Sequence, residues 1–162
     1  MPETIHFEDN RVKVKEALKQ AGIAWLYEAA GEIEAQTKRN TRVDRPGAPT
    51  KSSFRYEVDE GKGEATVGSD QENAVWEEFG TGEYALKHDG RKTPWYVPVD
   101  SYTGTKKPTY NGKVVIVQGR NGKKFYKTNG KRGTRALFKA FEGLKGKLQK
   151  SYQNKVKGAM NG

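Results

Sequence analysis

Cysteine is absent from this 162-residue chain, which excludes a disulfide scaffold, a thiolate metal site and a thiol nucleophile together. Long apolar runs are missing too. The start, MPETIHFEDN, has no stretch of the kind a signal peptide needs, and nothing later approaches the roughly 18 apolar residues of a membrane span. The expectation is a protein made and kept in a cytosol, without a membrane partner. Only 33% of residues are hydrophobic against 31% charged, so the core is thin and support from partners is expected. Histidine occurs twice: His6 and His88 have no second histidine at metal-ligand spacing and read as solvated surface residues. Ser52, Ser53, Ser69, Ser101 and Ser151 lie in no Gly-x-Ser-x-Gly elbow, and no Gly-x-x-x-x-Gly-Lys-Ser/Thr phosphate loop occurs. The expectation is therefore a non-enzymatic protein with no cofactor and no metal.

Negative charge is scarce in one part of the chain. Residues 101–162 hold 16 Lys and Arg against a single acid, Glu142, for a net +15, whereas residues 1–100 hold 14 against 19, for −5; the whole sums to +10. A basic half of this kind attracts nucleic acid, docks on the acidic half of an identical neighbour, or is merely a solvated tail, and charge alone leaves all three open. Its clusters are Lys106, Lys107, Arg120, Lys123, Lys124, Lys127, Lys131, Arg132 and Arg135, interleaved with Tyr110, Phe125 and Tyr126. Cations among aromatics suit phosphate contact and base stacking. The same alternation also marks an exposed hairpin whose lysines protect its edge.

Along the chain, residues 10–40 read as one long helix, with Leu18, Ala21, Trp25, Ala29 and Ile33 on one face and Leu26 and Ala30 widening it. Asp9 or Asn10 would cap its start and Asn40 its end. Trp25 reads as core, although with Tyr27 it would also suit an oligomer contact. A Pro- and Gly-rich loop, residues 41–51, precedes a sheet over 52–82. Phe54, Tyr56 and Val58 alternate in the first strand, Ala65 and Val67 in the second, joined by Glu60-Gly61-Lys62-Gly63; residues 74–79, AVWEEF, read as a third. Residues 87–130 read as an inserted arm whose Asn121-Gly122 is the strongest short turn signal. Leu137, Phe138, Phe141, Leu144 and Leu148 define a C-terminal helix over 134–157, with Thr134 as cap and Gly143 and Gly146 weakening it. The class is a single α+β domain: a long N-terminal and a C-terminal helix packed on a mostly antiparallel sheet, with an extended hairpin arm.

The segment Gly80-Thr81-Gly82 raises the question of a phosphate cradle. Ala85 stands where a dinucleotide loop would place its third glycine, and EYALKHDG does not read as the following helix. Glu77 and Glu78, read on a strand, point to opposite faces and cannot act as a pair on one atom; an inward one needs a partner such as Arg55.

Together, Asn73-Ala74-Val75-Trp76-Glu77-Glu78-Phe79-Gly80-Thr81-Gly82, Arg135-Ala136-Leu137-Phe138-Lys139-Ala140-Phe141 and the aromatic, glycine-rich stretches 90–96 and 124–130 resemble the tail-component, or tail-completion, proteins of long-tailed bacteriophages. The likeness covers roughly residues 10–150. It implies that Trp76 to Gly82 form a structural or subunit-interface motif, with Phe79 anchored in the core and Gly80 and Gly82 turning the chain, Glu77 or Glu78 pairing with a basic group of its own chain or a neighbour. It also implies a virion structural protein of the neck, joining head connector to tail as a hexameric ring. The implied partners are further copies of itself and the head-closure or connector, tail terminator and tail tube proteins, with the basic residues touching passing genomic DNA without reading its sequence. A tail terminator and a basic nucleic-acid-binding module are the alternatives; a carboxylate hydrolase using Glu77 and Glu78 is a weaker third.

Overall fold

The computed structural model describes residues 9–41, 49–104 and 106–161. His6 and the loop stretch 42–48 lie outside them. In chain order the elements are α1 (Arg11–Asn40), β1 (Arg55–Asp59), β2 (Glu64–Gly68), α2 (Glu72–Phe79), β3 (Thr81–Gly82), β4 (Trp95–Pro98), β5 (Val115–Gln118), β6 (Lys124–Thr128), β7 (Gly130–Lys131) and α3 (Ala136–Asn161). The class is α+β, as the sequence led us to expect.

Helices α1 and α3 form an antiparallel pair that carries most of the packing. Small residues let them approach: Ala29 and Ala30 on one side and Ala136 and Ala140 on the other are buried, with Leu148 further along. Direction is fixed by ties that run oppositely along the two helices. Asn40 Nδ2 donates to the Ala136 carbonyl at 3.1 Å, the Trp25 indole N–H to the Leu148 carbonyl at 3.0 Å, and the Trp25 ring meets Tyr152 edge-on with centroids 5.0 Å apart. Trp25 therefore contributes to the helix interface while remaining half-buried. Between these contacts Glu32 pairs with Lys147 at 2.6 Å and Glu28 with Lys155 at 2.9 Å. Hydrogen bonds from Lys155 and Ser151 hold the Glu28 carboxyl below its ordinary range.

The β1–β2 hairpin lies against α1. Glu34 accepts the Tyr56 backbone N–H at 3.0 Å, Tyr27 and Tyr56 meet edge to face at 6.4 Å, and the Tyr27 hydroxyl donates to Glu60 at 2.9 Å. That last bond raises the pKa of Tyr27 above its ordinary value. Phe54, just ahead of β1, is buried. The other strands form a second, three-stranded antiparallel sheet in the order β4-β6-β5, plus the short pair β3–β7. The expected sheet is thus divided into three small pieces. Its sharpest turn falls at Asn121-Gly122, where Gly122 takes φ +72° and donates to the Gly119 carbonyl at 3.0 Å.

Four expectations are overturned. Residues 74–79 are no strand: they belong to α2, whose last N–H ladder closes with Gly80 donating to the Trp76 carbonyl at 2.9 Å. The start of α1 is held by Asp9, one of the two expected residues, which accepts the Arg11 N–H at 3.1 Å while Asn10 makes no side-chain cap bond; the expected C-terminal cap, Asn40, is instead the last residue of the helix. Helix α3 runs to Asn161, and Thr134 does not cap it, since its hydroxyl donates to the Glu77 carbonyl at 3.0 Å. Finally, Phe138 and Phe141 are not on its packed face, being 45% and 47% exposed; that face is Leu137, Ala140, Leu144 and Leu148, at steps of three and four.

Candidate functional site

The segment that prompted the resemblance is where the body, the second sheet and α3 are knitted together. Thr81 and Gly82 pair antiparallel with Lys131 and Gly130 in a two-residue ladder, which brings two backbones nearly into contact. A Cβ at Gly82 would collide with the Asn129 carbonyl, and one at Gly130 with that of Thr81; both residues hold positive φ, +62° and +116°. The Gly-Thr-Gly thus serves a chain crossing. Beneath it Asn129 is almost fully buried, its amide donating to Glu83 at 2.7 Å and Asn111 at 3.1 Å while its carbonyl accepts the Glu83 N–H at 3.0 Å.

Both carboxylates of the motif are engaged, on one helix. Glu77 pairs with Lys131 at 2.5 Å, and its carbonyl accepts the Thr134 N–H at 2.6 Å. Glu78 receives two backbone N–H groups at the start of α3, from Leu137 at 2.9 Å and Phe138 at 3.0 Å. It is the N-terminal cap of α3, delivered from another helix: a carboxylate satisfies two of the donors every helix start leaves open and meets the positive end of the helix dipole. Arg55, expected as a partner, instead pairs with Asp70 at 2.7 Å.

Because Ala74, Glu77 and Glu78 face inward, the rest of α2 faces out. Val75, Trp76 and Phe79 are 53%, 41% and 42% exposed, and Glu72 is exposed beside them. Phe79 is therefore no core anchor. Leu86, which donates its N–H to the Phe79 carbonyl at 2.9 Å, extends the apolar surface, and the Lys87 ammonium lies 5.4 Å from the Phe79 ring.

The basic residues divide into two sets. Lys127 sits 4.0 Å over the Tyr110 ring, Arg132 lies near Tyr84, Arg135 stacks 3.7 Å from Phe138, and Lys131 holds Glu77. Arg120, Lys123 and Lys124 are exposed around the β5–β6 turn, with no ion pair among the described residues. Lys106 and Lys107 are exposed beside the same sheet, because Tyr102 packs on Tyr126 at 5.6 Å and donates its hydroxyl to the Lys106 carbonyl. His88 is exposed at φ +57°. The described residues hold no cluster of three or more His, Cys, Asp or Glu able to hold a metal, and no helix long and apolar enough to cross a membrane.

Residues 6–80 match the family model described as "Bacteriophage HK97-gp10, putative tail-component". The match supports a phage tail-component family for this chain. It takes in α1, the β1–β2 hairpin and α2, and stops at Gly80, just before the crossing. No curated protein and no solved structure shows a significant match.

Sequence reasoning missed the role of Glu78 and the outward face of α2. One signal was available: Glu72, Val75, Trp76 and Phe79 stand at steps of three, one and three, the spacing of one helical face.

Proposed function

We propose that this chain is a virion structural protein, a tail-completion or neck component that joins the head connector to the tail as one subunit of a hexameric ring, assembled in the host cytoplasm. The observation that carries this reading is the tail-component match over residues 6–80. Its role is binding, with no chemical turnover. Charge gives it a physical basis. The acids Glu28, Glu32 and Glu77 are already paired within the chain with Lys155, Lys147 and Lys131, so they are not free for a neighbour. Among the described residues, the exposed charges without an ion pair include the acids Glu57, Glu64 and Glu72 on and beside the β1–β2 hairpin and the cations Arg120, Lys123 and Lys124 at the β5–β6 turn. An acidic end and a basic end on one subunit favour head-to-tail contact, which closes into a ring when the rotation is right.

The partners in this reading are copies of the chain and the connector, terminator and tube proteins on either side. Genomic DNA passes through the ring, touched without sequence readout by the basic turn. The exposed Arg120, Lys123 and Lys124 also favour the second reading, a nucleic-acid-binding module. Titration of the purified protein with duplex DNA at several salt concentrations separates them. The ring reading expects weak binding by the free subunit; tight binding with a steep salt slope would favour the module.

A further inference from the structure

Helix α2 is built inside out. An amphipathic helix normally turns its apolar stripe to the core and its charges to water, yet here Glu77 and Glu78 face the body while Val75, Trp76 and Phe79 face solvent. Inward carboxylates are explained by Lys131 and the start of α3. Among the described residues the one ring partner of that outward face is the Lys87 ammonium beside Phe79, and a contiguous exposed aromatic surface of this kind marks a contact.

A second surface of the same chain has the complementary character. On α3, Phe138, Phe141 and Lys145 share one exposed stripe, with Arg135 at its head. The α2 stripe reads acid, then apolar, from Glu72 through Val75 and Trp76 to Phe79. The α3 stripe read backwards gives base, then apolar, from Lys145 through Phe141 to Phe138, with the exposed Glu142 on its flank. Both runs are eight residues long, their ends seven steps and about 10 Å of helix apart. Laid antiparallel, Glu72 meets Lys145, the aromatics meet one another, and Phe79 meets Phe138 beside the Arg135 guanidinium.

We infer that the outward face of α2 is the docking site for the Phe138–Lys145 stripe of α3 from a second copy of this chain. The two stripes belong to different helices, so unlike surfaces meet: each subunit offers both halves, and repetition of the contact with one rotation closes a ring. This inference rests on the ring reading and names the surfaces that make it.

Absence of cysteine makes the test clean. Full-length chains carrying Val75→Cys alone and Phe141→Cys alone are mixed, oxidised mildly and run without reductant, in parallel with each alone and with the V75C/F141C double variant; circular dichroism checks that each is folded. The expected result is a cross-linked dimer in the mixture well above either single variant, and from the double variant a ladder of multimers ending at the ring number. Light scattering on the parent chain distinguishes the two ways of failing. A ring-sized parent whose variants give no 75–141 bond, or only V75C self-dimers, would overturn this interface and leave the ring reading standing. A parent that stays monomeric at every concentration, with no cross-link, would overturn both.

Discussion

Replacing Glu78 by alanine removes the only side-chain acceptor, among the described residues, at the start of α3. Its two oxygens receive the Leu137 and Phe138 N–H groups at 2.9 and 3.0 Å, and the helix behind them is 26 residues long. Loss of a capping side chain costs about 1–2 kcal/mol. Loss of a carboxylate from the positive end of the dipole adds up to about 1 kcal/mol in a partly buried position. The expected loss is therefore about 1–3 kcal/mol. For a chain of this size each kcal/mol moves the thermal midpoint by roughly 2–4 °C, so E78A should melt about 2–12 °C below the parent. Glu78→Gln keeps one acceptor oxygen without the charge and should lose about half as much. Calorimetry gives the midpoints, and hydrogen exchange at Leu137 and Phe138 locates the change: their amide protons should lose protection in E78A before those of Leu148. A midpoint within about 1 °C of the parent, or unchanged protection at those two amides, would refute the capping role.

Three further outcomes follow from the same geometry. Gly82→Ala places a methyl against the Asn129 carbonyl at φ +62°, so it should destabilise by at least ~2 kcal/mol, seen as a lower urea midpoint or loss of soluble protein. Glu28, with its pKa held below the ordinary 4.5, supplies stability that is present above that value and lost as pH falls through its lowered pKa. The parent should accordingly lose thermal stability as pH falls below 4.5, and the gap between parent and Glu28→Gln should shrink as it does; a gap independent of pH would contradict the pairing with Lys155 and Ser151. Reversing the β5–β6 turn with Arg120→Glu, Lys123→Glu and Lys124→Glu should leave stability within ~0.5 kcal/mol per site, since all three are exposed and unpaired among the described residues. The same triple variant should weaken subunit association at low salt, and an unchanged association constant would remove the turn from the contact.

Long, periodic segments were legible in the sequence because their burial follows their own spacing. The α1 stripe through Ala29 and Ala30, the β1–β2 hairpin and the β5–β6 hairpin with its Asn121-Gly122 turn all stand where local signals put them. Helix α2 was not legible. Over six residues, AVWEEF is short and rich enough in Val, Trp and Phe to pass for a strand, and the rule that apolar means inward assigned Phe79 to the core. The structure inverts that rule because two distant demands, Lys131 and the open amides at Leu137 and Phe138, claim the glutamates. Neither demand is visible in a window around residue 78. The same limit explains Phe138 and Phe141. Their spacing fits a stripe, but the partner helix needs close approach, which Ala136 and Ala140 allow and phenylalanines do not. The candidate site was legible as a motif and illegible as a mechanism: the crossing partner of its glycines, Asn129-Gly130-Lys131, lies about fifty residues away in sequence.

The central claim is that this subunit builds a ring by contacts with its own kind. Its most direct test is the solution mass of the purified full-length chain by light scattering, at low and high salt, with duplex DNA added to a parallel sample. The account predicts a species near six times the 18.1 kDa chain mass at low salt, falling toward smaller species as salt rises and unmoved by DNA. A monomer at every salt concentration that binds the duplex tightly would contradict it.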